Sequence, residues 1–202
     1  MPARSVTPRD ARVVLVLRAL IVAVAALTAT FVQERTGEFS LLLFQVFAGA
    51  MAILLWGFVA YRRGNVDRIY GILGAVHALA LIAGFLPWGD AATRFHWVLI
   101  AWAVVAGSAE LMSGRRARDI GEQERRDRLV VGALTLLLAV VSLVVSPQYS
   151  LDYFIEDAGR TFTLTGTIIG VGLFGGWAAI VAVYLGIGAA SPAPVATHKD
   201  ES

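Results

Sequence analysis

Residues 69–116 read IYGILGAVHALALIAGF-LPWGD-AATRFHWVLIAWAVVAGSAELMSGRR, two apolar runs (Ile69 to Trp88 and Phe95 to Met112) joined by a short Pro-Trp-Gly-Asp corner. Arg68 stands just before this unit and Arg115-Arg116 just after it. Each run approaches the roughly 20 apolar residues that carry a helix across ~30 Å of hydrocarbon. A nearly charge-free pair of that length, with arginine at both open ends, reads as a transmembrane helical hairpin.

The pattern recurs on either side. Val13 to Val32 is apolar except for Arg18, and Phe39 to Tyr61, Leu129 to Ser146 and Phe162 to Gly188 complete a set of six runs. The chain of 202 residues is 57% apolar and 16% charged, against about a quarter charged for a soluble domain. The first run has a rival reading as a signal peptide, with Arg4, Arg9 and Arg12 as its basic region. Its length and the interruption at Arg18 favour a retained span, because a cleaved apolar core is typically ~7–15 residues. Residues 1–12 and 189–202 are polar and read as cytoplasmic tails, the second as disordered. Arg4, Arg9, Arg12, Arg62, Arg63, Arg68, Arg115, Arg116, Arg118, Arg125, Arg126, Arg128 and Lys199 fall on one side, and only Arg35, Arg94 and Arg160 on the other. The richer side is cytoplasmic by the positive-inside bias. That topology places both termini inside a bacterial cytoplasmic membrane. The net charge of +2 is then explained by topology, not by a nucleic-acid partner; the partner implied is the lipid bilayer.

Arg68 precedes Pro87 by nineteen residues, and Arg128 precedes Pro147 by the same interval. Both prolines close an outgoing span at its far end, where a missing N–H is tolerated. In the returning spans Ala48-Gly49-Ala50 and Ala106-Gly107-Ser108 are matching small-residue patches, each followed by an arginine pair. The fold expected is therefore all-α and polytopic. Its six transmembrane helices form three parallel hairpin repeats, at 13–61, 69–112 and 129–188, around an axis along the membrane normal.

The length, the six spans and the Gly-rich runs ending in proline (Tyr70-Gly71 to Leu86-Pro87, Val131-Gly132 to Ser146-Pro147) resemble the HdeD family of short-repeat bacterial membrane proteins. The resemblance covers roughly Val13 to Gly188. It implies a part in envelope stress or acid resistance, with no enzymatic activity and no catalytic residues to carry over.

Ionisable residues inside spans are functional candidates by default. Arg18 and Glu110 lie at similar depth from the cytoplasmic ends of the first and fourth runs, so an ion pair between them is geometrically sensible. The plainer reading has Arg18 snorkelling to headgroups and Glu110 reaching water. His77 is the one histidine at depth. It suits pH sensing by its chemistry, though a structural histidine bonded to a neighbouring helix is the commoner case. His96, beside Trp97, belongs to an aromatic belt, and its level differs from that of His77, which argues against a bis-histidine haem. No cysteine is present, so thiolate metal sites and disulfides are excluded. Phosphate-binding loops, nucleophile elbows and His-Glu-x-x-His are absent from the sequence. No enzyme, cofactor or metal is expected. A proton-coupled pump would want more intramembrane carboxylates, although a passive channel needs none.

Gly166 and Gly170, and Gly172 and Gly176, form two small-xxx-small spacings in the sixth run that let helices approach closely. One use is within the bundle; another is a homo-oligomer or a membrane-protein partner. In the charged segment Gly114 to Arg128, Glu122–Arg126 and Glu124–Arg128 stand at i,i+4 in the favourable order, so the fifth helix should start early. Tyr149 to Arg160 mixes aromatic and acidic residues and reads as a short segment lying at the membrane interface.

Overall fold

A computed structural model describes residues 8–63, 66–116 and 120–190. Most of both tails, together with Arg118 and Lys199, lies outside these residues. The described chain is built on six helices: α1 (Pro8–Phe31), α2 (Gly37–Tyr61), α3 (Arg68–Phe85), α4 (Ala91–Arg116), α5 (Glu122–Val144) and α6 (Gly166–Ala190). Each is long and apolar enough to cross a membrane. Local chemistry sets their ends. Thr36, Asp67 and Asp90 accept the amides of Phe39, Ile69 and Thr93 at 3.2, 3.1 and 2.7 Å, the usual side-chain caps for orphan N–H groups. Helices α3 and α5 stop just ahead of Pro87 and Pro147, where residues before proline leave the helical region. The tail read over residues 1–12 is helical from Pro8 onward, because proline is well suited to a first helical turn. The early start expected for the fifth helix is present, at Glu122.

The connection between α5 and α6 departs from expectation. Two strands, β1 (Ser150–Ile155) and β2 (Arg160–Thr165), pair antiparallel with Tyr153 opposite Phe162. A turn through Glu156–Ala158 and Gly159 at φ 61° joins them. The first residues of the sixth apolar run, Phe162 to Thr165, are thus strand and not helix. Alternating threonine and aromatic residues favour a pleated chain, and Gly159 supplies the left-handed position the turn needs. Tyr153 stacks on Phe162 at 6.1 Å, and the Arg160 guanidinium lies 4.4 Å over the same ring.

The six helices pack as a ring in chain order, α6 closing against α1, while α2, α4 and α6 also meet one another inside. The closest pairs are α4 with α5, α1 with α6, and α2 with α3. The hairpin partners read from the sequence (α1 with α2, α3 with α4, α5 with α6) are neighbours but pack less closely. Glycine explains the difference. A Cβ on Gly132 would stand 2.6 Å from the Leu111 amide nitrogen, and one on Gly107 2.9 Å from that of Leu136, so α4 and α5 touch backbone to backbone. Gly175 admits the Ala29 methyl of α1 in the same way.

The surface is apolar where a soluble protein would be polar. Val24, Ile53, Leu79, Val105, Val140 and Val183, one from each helix, all point outward, whereas Ser40, Gln45, His77, Thr135 and Ser142 are buried. A contiguous apolar exterior of this extent marks a surface made for lipid.

Candidate functional site

The bundle axis is filled mainly by rings. Phe44 and Phe47 of α2, Trp102 of α4, and Phe174 and Trp177 of α6 interlock, with centroids 5.4 Å apart for Phe44–Trp102 and Phe47–Phe174 and 5.2 Å for Trp102–Trp177. His77 of α3 joins edge-on, 5.8 Å from Phe47 and 5.6 Å from Trp102. Most of these contacts are tilted or edge-to-face, the arrangements aromatic quadrupoles prefer.

Against this cluster lies a small void of about 20 Å³ with a wall from every helix. Its polar wall is Arg18, His77, Glu110 and Thr135. Arg18 Nη2 donates to Glu110 Oε1 at 2.5 Å; the carboxylate is almost wholly enclosed, while the guanidinium keeps 15% of its side-chain surface. The two charges come from α1 and α4, and both face the axis. His77 Nδ1 bonds the Leu73 carbonyl of its own helix at 2.8 Å, not a neighbouring helix as expected. The carbonyl can only accept, so Nδ1 is the nitrogen that carries the proton in this bond. Thr135 donates to the Val131 carbonyl at 2.8 Å and accepts from Trp177 Nε1 at 3.2 Å. Arg18 Nε and Trp102 Nε1 are buried without a protein partner. A void of this size has room for about one water.

A second polar cluster ties the helix ends on the arginine-rich side. Arg128 Nη1 donates to Asp67 at 2.7 Å and to Ser113 at 2.6 Å, while Nη2 donates to Glu124 at 2.6 Å. Tyr70 donates to the same Glu124 oxygen at 2.9 Å. Burial pushes the Asp67 carboxyl upward, but hydrogen bonds from Arg128 and the Ile69 amide outweigh it and hold the group below the ordinary aspartate value. Arg62 pairs with Asp10 at 2.9 Å, joining α2 to α1. Of the two ion pairs expected along α5, Glu124–Arg128 is formed; Glu122 instead reaches Arg125 at 3.4 Å, one residue short of Arg126.

The glycines of α6 divide by face. Gly166 is buried against the Ser146 carbonyl, and a Cβ on Gly170 would meet the Phe95 ring at 3.2 Å. Gly172 and Gly176 have nothing within 4 Å and face outward. His96 is buried, with its ring edge-on to Trp97 at 5.2 Å. Among the described residues no group of three His, Cys, Asp or Glu side chains is placed to hold a metal ion. Sequence reading missed the ring cluster and Thr135; five aromatic residues inside apolar runs give no contrast to single them out.

Comparison with known protein families, curated proteins and solved structures returned no match. The class defined by six apolar helices with an apolar exterior and polar groups turned inward is that of a multi-pass integral membrane protein.

Proposed function

We propose that this chain is a non-enzymatic protein of a bacterial cytoplasmic membrane, of HdeD type, with both termini in the cytoplasm and a part in envelope or acid-stress tolerance. The observation that carries the reading is the axial Arg18–Glu110 pair beside His77. The pair holds α1 to α4 inside the bundle, and His77 of α3 lines the same void, so ionisable groups of three helices meet at the axis. Ionisable groups at the centre of the bundle, and not only on its surface, are what supports a response to acid.

Deleting the gene should lower survival after acid challenge, the wild-type chain should restore it, and Glu110→Gln should restore it only partly. Equal survival of the deletion strain and its parent would remove the stress role. A passive channel is the alternative, and the interlocked rings stand against it, since a pore on the axis has to part them. A subunit role in a larger membrane complex, or a homo-oligomer, draws support from the outward faces of Gly172 and Gly176. Co-purification after mild solubilisation tests that reading.

A further inference from the structure

Between α3 and α4, on the outer face of the bundle, runs a lateral groove of about 380 Å³. Val76, Ala80 and Ala83 line one side, Val98, Ala101 and Val105 the other, and Trp102 closes it inward. The volume falls within the ~300–1,000 Å³ of small-molecule sites, but the lining is almost entirely apolar. The groove exists because alanines stand where larger side chains would fill it. Trp88 and Trp97 flank it toward the corner joining the two helices, and Trp88 Nε1 is anchored to the Ala83 carbonyl at 3.3 Å.

The same end of the groove carries positive charge. Arg94 lies on the helical face of α4 that continues through Trp97, Val98, Ala101 and Val105. Its Nη1 donates to the carbonyls of Gly84 and Leu86, both at 3.3 Å, which ties it to the closing turn of α3 beside the groove residue Ala83. The guanidinium is thus held by neutral carbonyls. Asp90, which caps the Thr93 amide, is held ionised in the same corner chiefly by that bond and also by the Arg94 charge, so Arg94 is a cation with one carboxylate near it.

We propose that this groove is a binding site for one phospholipid, its acyl chain lying between α3 and α4 and its phosphate at Arg94, with a preference for an anionic headgroup. The inference rests on the membrane class of the fold and is independent of any stress function. Lipid is the solvent of this face, the groove opens into it, and a tryptophan-flanked mouth with a fixed cation matches the order of parts in a phospholipid: apolar tail, interface, phosphate.

The test is native mass spectrometry of the full chain after exchange into mixed phosphatidylglycerol and phosphatidylcholine. One phosphatidylglycerol should stay bound per chain under activation that strips bulk lipid. Arg94→Gln should lower that preference about fivefold, as one basic residue near an anionic surface supplies. Filling the groove with Ala80→Leu and Ala101→Leu should abolish retention while circular dichroism remains helical. Should that pair fail to fold, tryptophan quenching of the wild-type chain by tail-brominated phosphatidylglycerol, compared with Arg94→Gln, gives the same decision. No retained lipid, equal retention of both headgroups, indifference to Arg94→Gln, or a retained mass that is not a phospholipid would each overturn the proposal.

Discussion

Glu110 sits where an unpaired partner is least tolerable. Replacing it with alanine leaves Arg18 buried without its counter-ion, and breaking a buried pair costs about 3–5 kcal/mol. Because Arg18 keeps 15% of its side-chain surface, the lower end applies, about 3 kcal/mol, read as a fall in melting temperature in detergent. Arg18→Ala should do similar damage, and the double variant should lose much less than the two combined. Simple additivity would mean the pair is not coupled. Asp67 predicts a pH dependence of definite sign. Its folded carboxyl titrates below the unfolded one, so its contribution is complete above about pH 4. That contribution fades as acid carries the solution down through the folded value. The melting difference between wild type and Asp67→Asn should therefore be constant near neutrality and close below about pH 4; a gap that widens in acid would refute the assignment. Arg18 and Glu110 were readable in the sequence because depth can be counted along a helix from its arginine-marked end. The ring cluster was not, since Phe44, Trp102 and Phe174 come from three different apolar runs and nothing in one run announces the others.

At the scale of elements, the packing of α4 on α5 depends on two glycines that face each other. Gly132→Ala introduces a methyl against the Leu111 backbone, and separating the helices should cost about 1–3 kcal/mol. Gly176→Ala meets open space, so the bundle should melt at the same temperature or slightly higher, as helix propensity alone dictates. A destabilised Gly176→Ala monomer would contradict the outward assignment. Spacing in the sequence shows which glycines share a face but not which way the face turns, because a helix apolar all round carries no amphipathic signal. The β1–β2 hairpin was hidden for a related reason. Its second strand, Arg160 to Thr165, runs straight into the apolar stretch of α6, so hydropathy merged the two.

On the scale of the whole molecule, the absence of cysteine makes topology directly measurable. Single cysteines at Arg35 and at Arg125 should react with an impermeant maleimide from opposite faces of the membrane, the second only after the cytoplasmic side is opened. Labelling of both from one side would destroy the six-span arrangement. Purified chain in liposomes should give no ion flux above the lipid background, because the rings of α2, α4 and α6 occupy the axis.

The contact of α6 with α1 has a consequence for chain order. Six crossings bring Pro8 and Ala190 to the same membrane face, on helices that already pack against each other. A peptide linker from the last helix to the first, with the chain cut open between α2 and α3, yields a circular permutant whose new termini emerge on that same face. Such termini are where permutation is tolerated. The protein is a loop of helices whose covalent starting point is one choice among several.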